Sequence, residues 1–159
     1  MKLMFLFALA AFVSFSHVIV EASCPTITFP CDRIPDVCDN MRDAINSGKP
    51  STLNRITNPT EIAKNRRDSG CPNLIRVPGE NCDEYPFASS RQGGRGAAIR
   101  NVPKRQNSIQ GGLLGSFYKD KNIGDGDCYT VALSRSWSIN ISLNLWLILA
   151  LTLQTFLWN

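Results

Sequence analysis

The sequence predicts a small α+β domain, stapled by disulfides around a short antiparallel sheet. Three observations predict it. All six cysteines lie beyond the first 22 residues. Short strand-like and helix-like stretches alternate with turn-rich connections. Residues 82–118 run in the order strand, turn, strand, helix.

The cysteine observation depends on what precedes it. Met1 to Ala22 has the pattern of a secretory signal peptide: Lys2 gives a positive start, Leu3 to Phe15 is mostly apolar, and Val20-Glu21-Ala22 forms a small-residue cleavage site. Its removal leaves a domain over residues 23–133 that is expected outside the cell. An even set of cysteines there (Cys24, Cys31, Cys38, Cys71, Cys82, Cys128) reads as three disulfides of open pairing. Their spacing matches no zinc site, and no histidine stands beside them. Each bridge contributes about 2–4 kcal/mol, which helps a core of this size.

The only histidine, His17, lies in the leader. The expected mature chain therefore has no imidazole for a Ser-His-Asp triad, a Cys-His pair or a His-ligated metal. Hydrolytic chemistry would have to use carboxylates, amides, hydroxyls and cations.

In chain order, Ile27-Thr28-Phe29 predicts a short strand. Asp36 to Ser47 predicts a packing helix, capped by Asp36, with Val37, Met41, Ala44 and Ile45 on its apolar stripe and Gly48 and Pro50 after its end. Thr60 is placed as the cap of a short helix through Arg67, whose Lys64-Asn65-Arg66-Arg67 cluster reads as a solvated face. Ser69 to Asn81 is loop, with Leu74 to Val77 as a brief strand. Cys82 to Pro86 ends a strand, and Ala97 to Val102 forms a second with Ile99 and Val102 as core candidates. Asn107 or Ser108 is expected to cap a helix through Tyr118, weakened by Gly111-Gly112. Asp125-Gly126 is a hairpin signal, and Cys128 to Leu133 the returning strand.

Residues 134–159 form an apolar tail with no charge after Arg135. Ile139 to Trp158 is about long enough to span a bilayer. With no charged residues after it, the tail reads as a lipid-anchor signal with a small residue such as Ser134 as attachment site, or else as a spanning helix or an extension from an irregular gene model.

The net charge of +4 matters through its clustering. Arg91, Arg95, Arg100, Lys104 and Arg105 form a run without an acid among them, which favours contact with phosphates. Just before it stand two adjacent carboxylates, Asp83 and Glu84. Phosphodiester hydrolysis needs an activated water and neutralised charge at phosphorus, and a divalent metal supplies both. Mg2+ or Mn2+ would take oxygen ligands from Asp83, Glu84 and the Asn107 amide. Neighbours on a strand point to opposite faces, so only one acid is expected to face the site directly. Asp83 is the choice, as base or ligand, with Glu84 a ligand across a local twist or an outer partner. Gln110 is a candidate for orienting a phosphate. Gly93-Gly94 either makes a turn or lets the backbone approach phosphate.

Taken together, Cys82-Asp83-Glu84-Tyr85-Pro86-Phe87-Ala88-Ser89, Gly93-Gly94, Arg100-Asn101-Val102-Pro103 and Asn107-x-x-Gln110-Gly111-Gly112 closely resemble the NucA/NucB deoxyribonuclease family. Met41-Arg42-Asp43-Ala44-Ile45 and Asp125-Gly126 extend the likeness to roughly residues 36–131. The resemblance implies a ββα-metal-like catalytic core in which an acid replaces the usual strand-end histidine. It implies Asp83 as catalytic acid with Glu84 beside it, Arg100 on the second strand, and Asn107 on the metal side. Gln106 stands where an acid is common in the family. The expectation is a secreted or surface-held, monomeric, metal-dependent endonuclease cutting DNA with little sequence preference. The alternatives are a non-catalytic module that binds polyanions, and a carboxylate-pair glycosidase. The latter needs two acids about 5–9.5 Å apart facing one sugar, which strand neighbours suit poorly.

Overall fold

The computed structural model describes residues 23–134. The expected signal peptide over residues 1–22 and the apolar tail after Ser134 lie outside them. Among the described residues no helix is long and apolar enough to cross a membrane.

The elements are β1 (Thr26–Phe29), α1 (Pro35–Asn46), β2 (Thr52–Asn54), α2 (Pro59–Asp68), a 3-10 turn (Cys71–Asn73), β3 (Glu80–Tyr85), β4 (Ala98–Pro103), α3 (Lys104–Asp120) and β5 (Cys128–Leu133). They form an α+β domain with two small sheets. One is the expected antiparallel pair β3–β4, with Asp83 opposite Arg100 and Glu84 opposite Ile99. The other has the order β1-β5-β2, with β5 parallel to β1 and antiparallel to β2. The disulfides are Cys24–Cys128, Cys31–Cys38 and Cys71–Cys82.

Alternation decides which side of each strand is core. In β3, Asp83 and Tyr85 are buried while Cys82 and Glu84 are half-buried. α1 lies against β3 and β4 and meets α3, which also touches β1. Phe29, Ile34, Val37, Met41, Leu53, Tyr85, Val102 and Tyr129 fill the interior between them. Val102 is fully buried as expected, whereas Ile99 points the other way and packs near Gly70. Tyr118 donates to the Tyr129 hydroxyl at 2.8 Å, and the Arg55 guanidinium lies 4.3 Å above the Tyr118 ring.

Several boundaries differ from the sequence expectation for local reasons. α1 is not capped by Asp36, which lies inside its first turn; the cap position is Ile34, with Pro35 next. α2 is capped by Asn58, whose side chain accepts from the Thr60 amide at 2.9 Å. Residues 74–77 are not a strand, because no neighbouring chain pairs with them. β2 has no counterpart among the expected strands and forms by pairing with β5. α3 starts at Lys104, directly after Pro103, and runs unbroken through Gly111-Gly112, so neither Asn107 nor Ser108 is its cap. Asp125-Gly126 makes a turn between α3 and β5, not a hairpin. Gly93 is required by packing: a Cβ there would lie 2.2 Å from the Phe87 carbonyl oxygen.

Candidate active site

Asp83 is 3% exposed, on the core side of β3. Its carboxylate accepts a 2.9 Å hydrogen bond from Asn40 Nδ2 on α1. Burial pushes its carboxyl up to about 6, although the amides of Asn40 and Gln110 and the Glu84 backbone favour the charged form and restrain the rise. The adjacent Glu84 charge adds to it. A carboxylate so placed is mostly ionised at neutral pH yet basic enough to accept a proton.

An open cavity of about 370 Å3 lies beside it, lined by Asp83, Glu84, Asn107, Gln110, Arg66 and Ser89 among others. Both acids line it although they sit on opposite faces of β3. Among the described residues the strand pairs only with β4, and Asn107 Nδ2 reaches its Cys82 carbonyl at 3.3 Å. A cavity at a strand edge is reached from both faces, so no bulge is needed.

Two polar atoms here are buried without a hydrogen-bond partner: Glu84 Oε2 and Gln110 Nε2. The Gln110 amide is close enough to favour an ionised Asp83 but makes no hydrogen bond of proper geometry. Orphaned buried groups are costly in a folded protein and call for a partner such as a water, an ion or a ligand. The carboxylate oxygen can take a hydrogen-bond donor or a cation, and the amide nitrogen a hydrogen-bond acceptor. Asn107 has committed its amide nitrogen to Cys82, which leaves its oxygen for a cation. Among the described residues no three His, Cys, Asp or Glu side chains gather as a metal site. The donors on offer are thus two carboxylates and an amide, an all-oxygen set that suits a hard divalent ion keeping several waters.

Of the residues singled out from the sequence, Asp83, Glu84, Asn107 and Gln110 come together here. Arg100 shares the Asp83 side of the sheet but ion-pairs with Asp43 of α1 at 2.6 Å and does not line the cavity. Arg91 is exposed, 4.0 Å from Asp125; Arg95 and Arg105 are exposed, and none of the three lines the cavity. Lys104 lines an adjoining cleft. Gln106 lies elsewhere: its Oε1 accepts from the Asp36 amide at 2.9 Å and from the Val37 amide at 3.4 Å. It supplies the cap that α1 lacks.

Two contributors escaped sequence reasoning. Asn40 sits on the apolar face of α1 between Val37 and Ala44, and a polar residue within that stripe was the available signal. Arg66 belongs to the cluster read as a solvated face.

The family described as deoxyribonuclease NucA/NucB matches residues 41–132. The DNA-entry nuclease of Bacillus subtilis (strain 168) is 28% identical over 106 residues, covering 67% of this chain and 70% of that protein. With more than half of its 159 residues matched, the chain belongs to the deoxyribonuclease NucA/NucB family.

Proposed function

We propose that this protein is an extracellular, divalent-metal-dependent endonuclease that hydrolyses DNA phosphodiester bonds with little sequence preference. The reading is carried by the conjunction of a buried, basic Asp83 with two unpartnered polar atoms, Glu84 Oε2 and Gln110 Nε2, at one cavity. Family membership and the Bacillus subtilis DNA-entry nuclease support DNA as the substrate. Three disulfides support an oxidising compartment.

Glu84 and the Asn107 oxygen would hold a divalent ion, with Asp83 adjacent. Such an ion, when bound, neutralises charge on the phosphate and makes water more acidic. Asp83 accepts the proton of the attacking water as its oxygen bonds to phosphorus. Gln110 Nε2 donates to a non-bridging oxygen, and Arg66 holds phosphate charge at the cavity rim. The bond from phosphorus to the sugar oxygen breaks, and that oxygen takes a proton from solvent. No base edge need be read, because the polar groups placed around the cavity complement phosphate.

The test is plasmid relaxation by the exported protein with Mg2+ or Mn2+, then with EDTA, beside Asp83→Asn. The expected result is nicking that needs metal and is abolished by the substitution. Mn2+ binding, followed by electron paramagnetic resonance, should weaken in Glu84→Gln. Cutting that survives both EDTA and Asp83→Asn would overturn the mechanism.

A further inference from the structure

A second cleft, of about 600 Å3, opens beside the catalytic cavity. The two share Arg66, Asn107 and the Cys71–Cys82 disulfide on their walls, and so form one groove around that disulfide. Arg66, Arg76 and Lys104 bring three cations to the second cleft against one carboxylate, Glu80. Among the described residues none of the three takes part in an ion pair, whereas Arg42, Lys64, Arg91 and Arg100 all do. Cations left unpaired in a concave surface concentrate field on an anion.

Leu74, Val77 and Pro78 give the same cleft an apolar surface. Val77 is 40% exposed, and its neighbour Ile75 is 84% exposed. The segment carrying them is held in place. Asn101 Nδ2 donates to the Ile75 carbonyl at 2.8 Å, the Lys104 amide donates to the Gly79 carbonyl at 3.1 Å, and the disulfide clamps the preceding turn. The cleft is therefore formed before any ligand arrives. Cations beside an apolar wall match a strand whose sugars and bases are uncovered. A paired duplex offers such a wall mainly phosphates.

We propose that this second cleft holds one unpaired strand of DNA flanking the scissile phosphate, with phosphates on Arg66, Arg76 and Lys104 and sugars and bases against Leu74, Val77 and Pro78. The inference rests on the nuclease reading of the adjoining cavity.

The test is fluorescence anisotropy of a labelled, mixed-sequence oligonucleotide, single-stranded or as its blunt duplex. It is titrated with the full exported chain bearing Asp83→Asn, in EDTA. Adding Arg76→Glu and Lys104→Glu should weaken single-strand binding at least about tenfold and lower the salt slope by about 1.4, for two lost phosphate contacts. Lys121→Glu, past the far end of α3 and about 25 Å away, should leave it unchanged. Unchanged single-strand affinity in the double variant would overturn the proposal. So would an equal loss on the duplex, or a loss confined to Arg91→Glu with Arg95→Glu. Should the unmodified protein cut no DNA while the double variant still loses the single strand, the nuclease reading fails and the cleft assignment stands. Intact cutting with unaltered binding sinks the cleft alone.

Discussion

Asp83 carries a stability cost that its chemistry explains. Its folded carboxyl titrates near 6 against an ordinary 3.8, so between those pH values the native state binds more protons than the unfolded chain. Stability from this group therefore falls as pH rises through that window, and the full penalty is present above about pH 6. Two pH units correspond to roughly 3 kcal/mol. Asp83→Asn is accordingly expected to melt higher than the parent at pH 7 in EDTA, by roughly 1–3 kcal/mol of stability, while losing activity. Thermal melts from pH 7 down to 4 should show the advantage vanish. Asn40 tunes the same group. Because its amide favours the carboxylate, Asn40→Ala should push the Asp83 carboxyl higher still. The acid limb of the pH–rate profile would then move to higher pH, with a loss of about 10–100-fold in kcat/KM, the usual cost of removing a partner that orients a site carboxylate.

At the scale of elements, α3 serves two neighbours through successive residues. Asn107 faces the β3 edge, and Gln106 turns the other way to cap α1. Gln106→Ala should cost about 1 kcal/mol in chemical denaturation, the scale of a lost cap, and leave plasmid cutting intact. An acid at that position would lose the bond that Gln106 Nε2 donates to Asp36 and set a like charge beside it; residue 106 in any case does not line the cavity. The Cys71–Cys82 bridge belongs to both clefts, and replacing both cysteines by serine should lower stability by about 2–4 kcal/mol and weaken cutting, as read from melts and nicking rates. The β3–β4–α3 unit was legible in the sequence because its alternation and its polar residues are local signals. β2 was not, since its three residues become a strand only by pairing with β5. Asp125-Gly126 signalled a turn correctly, but turn chemistry does not specify which elements the turn joins. Asn40 and Arg66 meet the site only through packing between distant segments, and the ion pair of Arg100 with Asp43 of α1 has no signal in the sequence.

At the scale of the molecule, the two sheets differ in how they are assembled. β3 and β4 are consecutive, whereas β5, the last of the described strands in sequence, lies between β1 and β2 and carries the cysteine that meets Cys24. A chain ending at Asp127 should therefore show no cooperative melt and fast proteolysis, even though every residue of the candidate site is present. Contacts so distant in sequence also make folding slow compared with a locally paired domain. The central position of β5 thus sets an order of events: until β5 emerges, β1 and β2 lack the strand that joins them. That sheet, with the Cys24–Cys128 bridge, can close only after β5 has been synthesised.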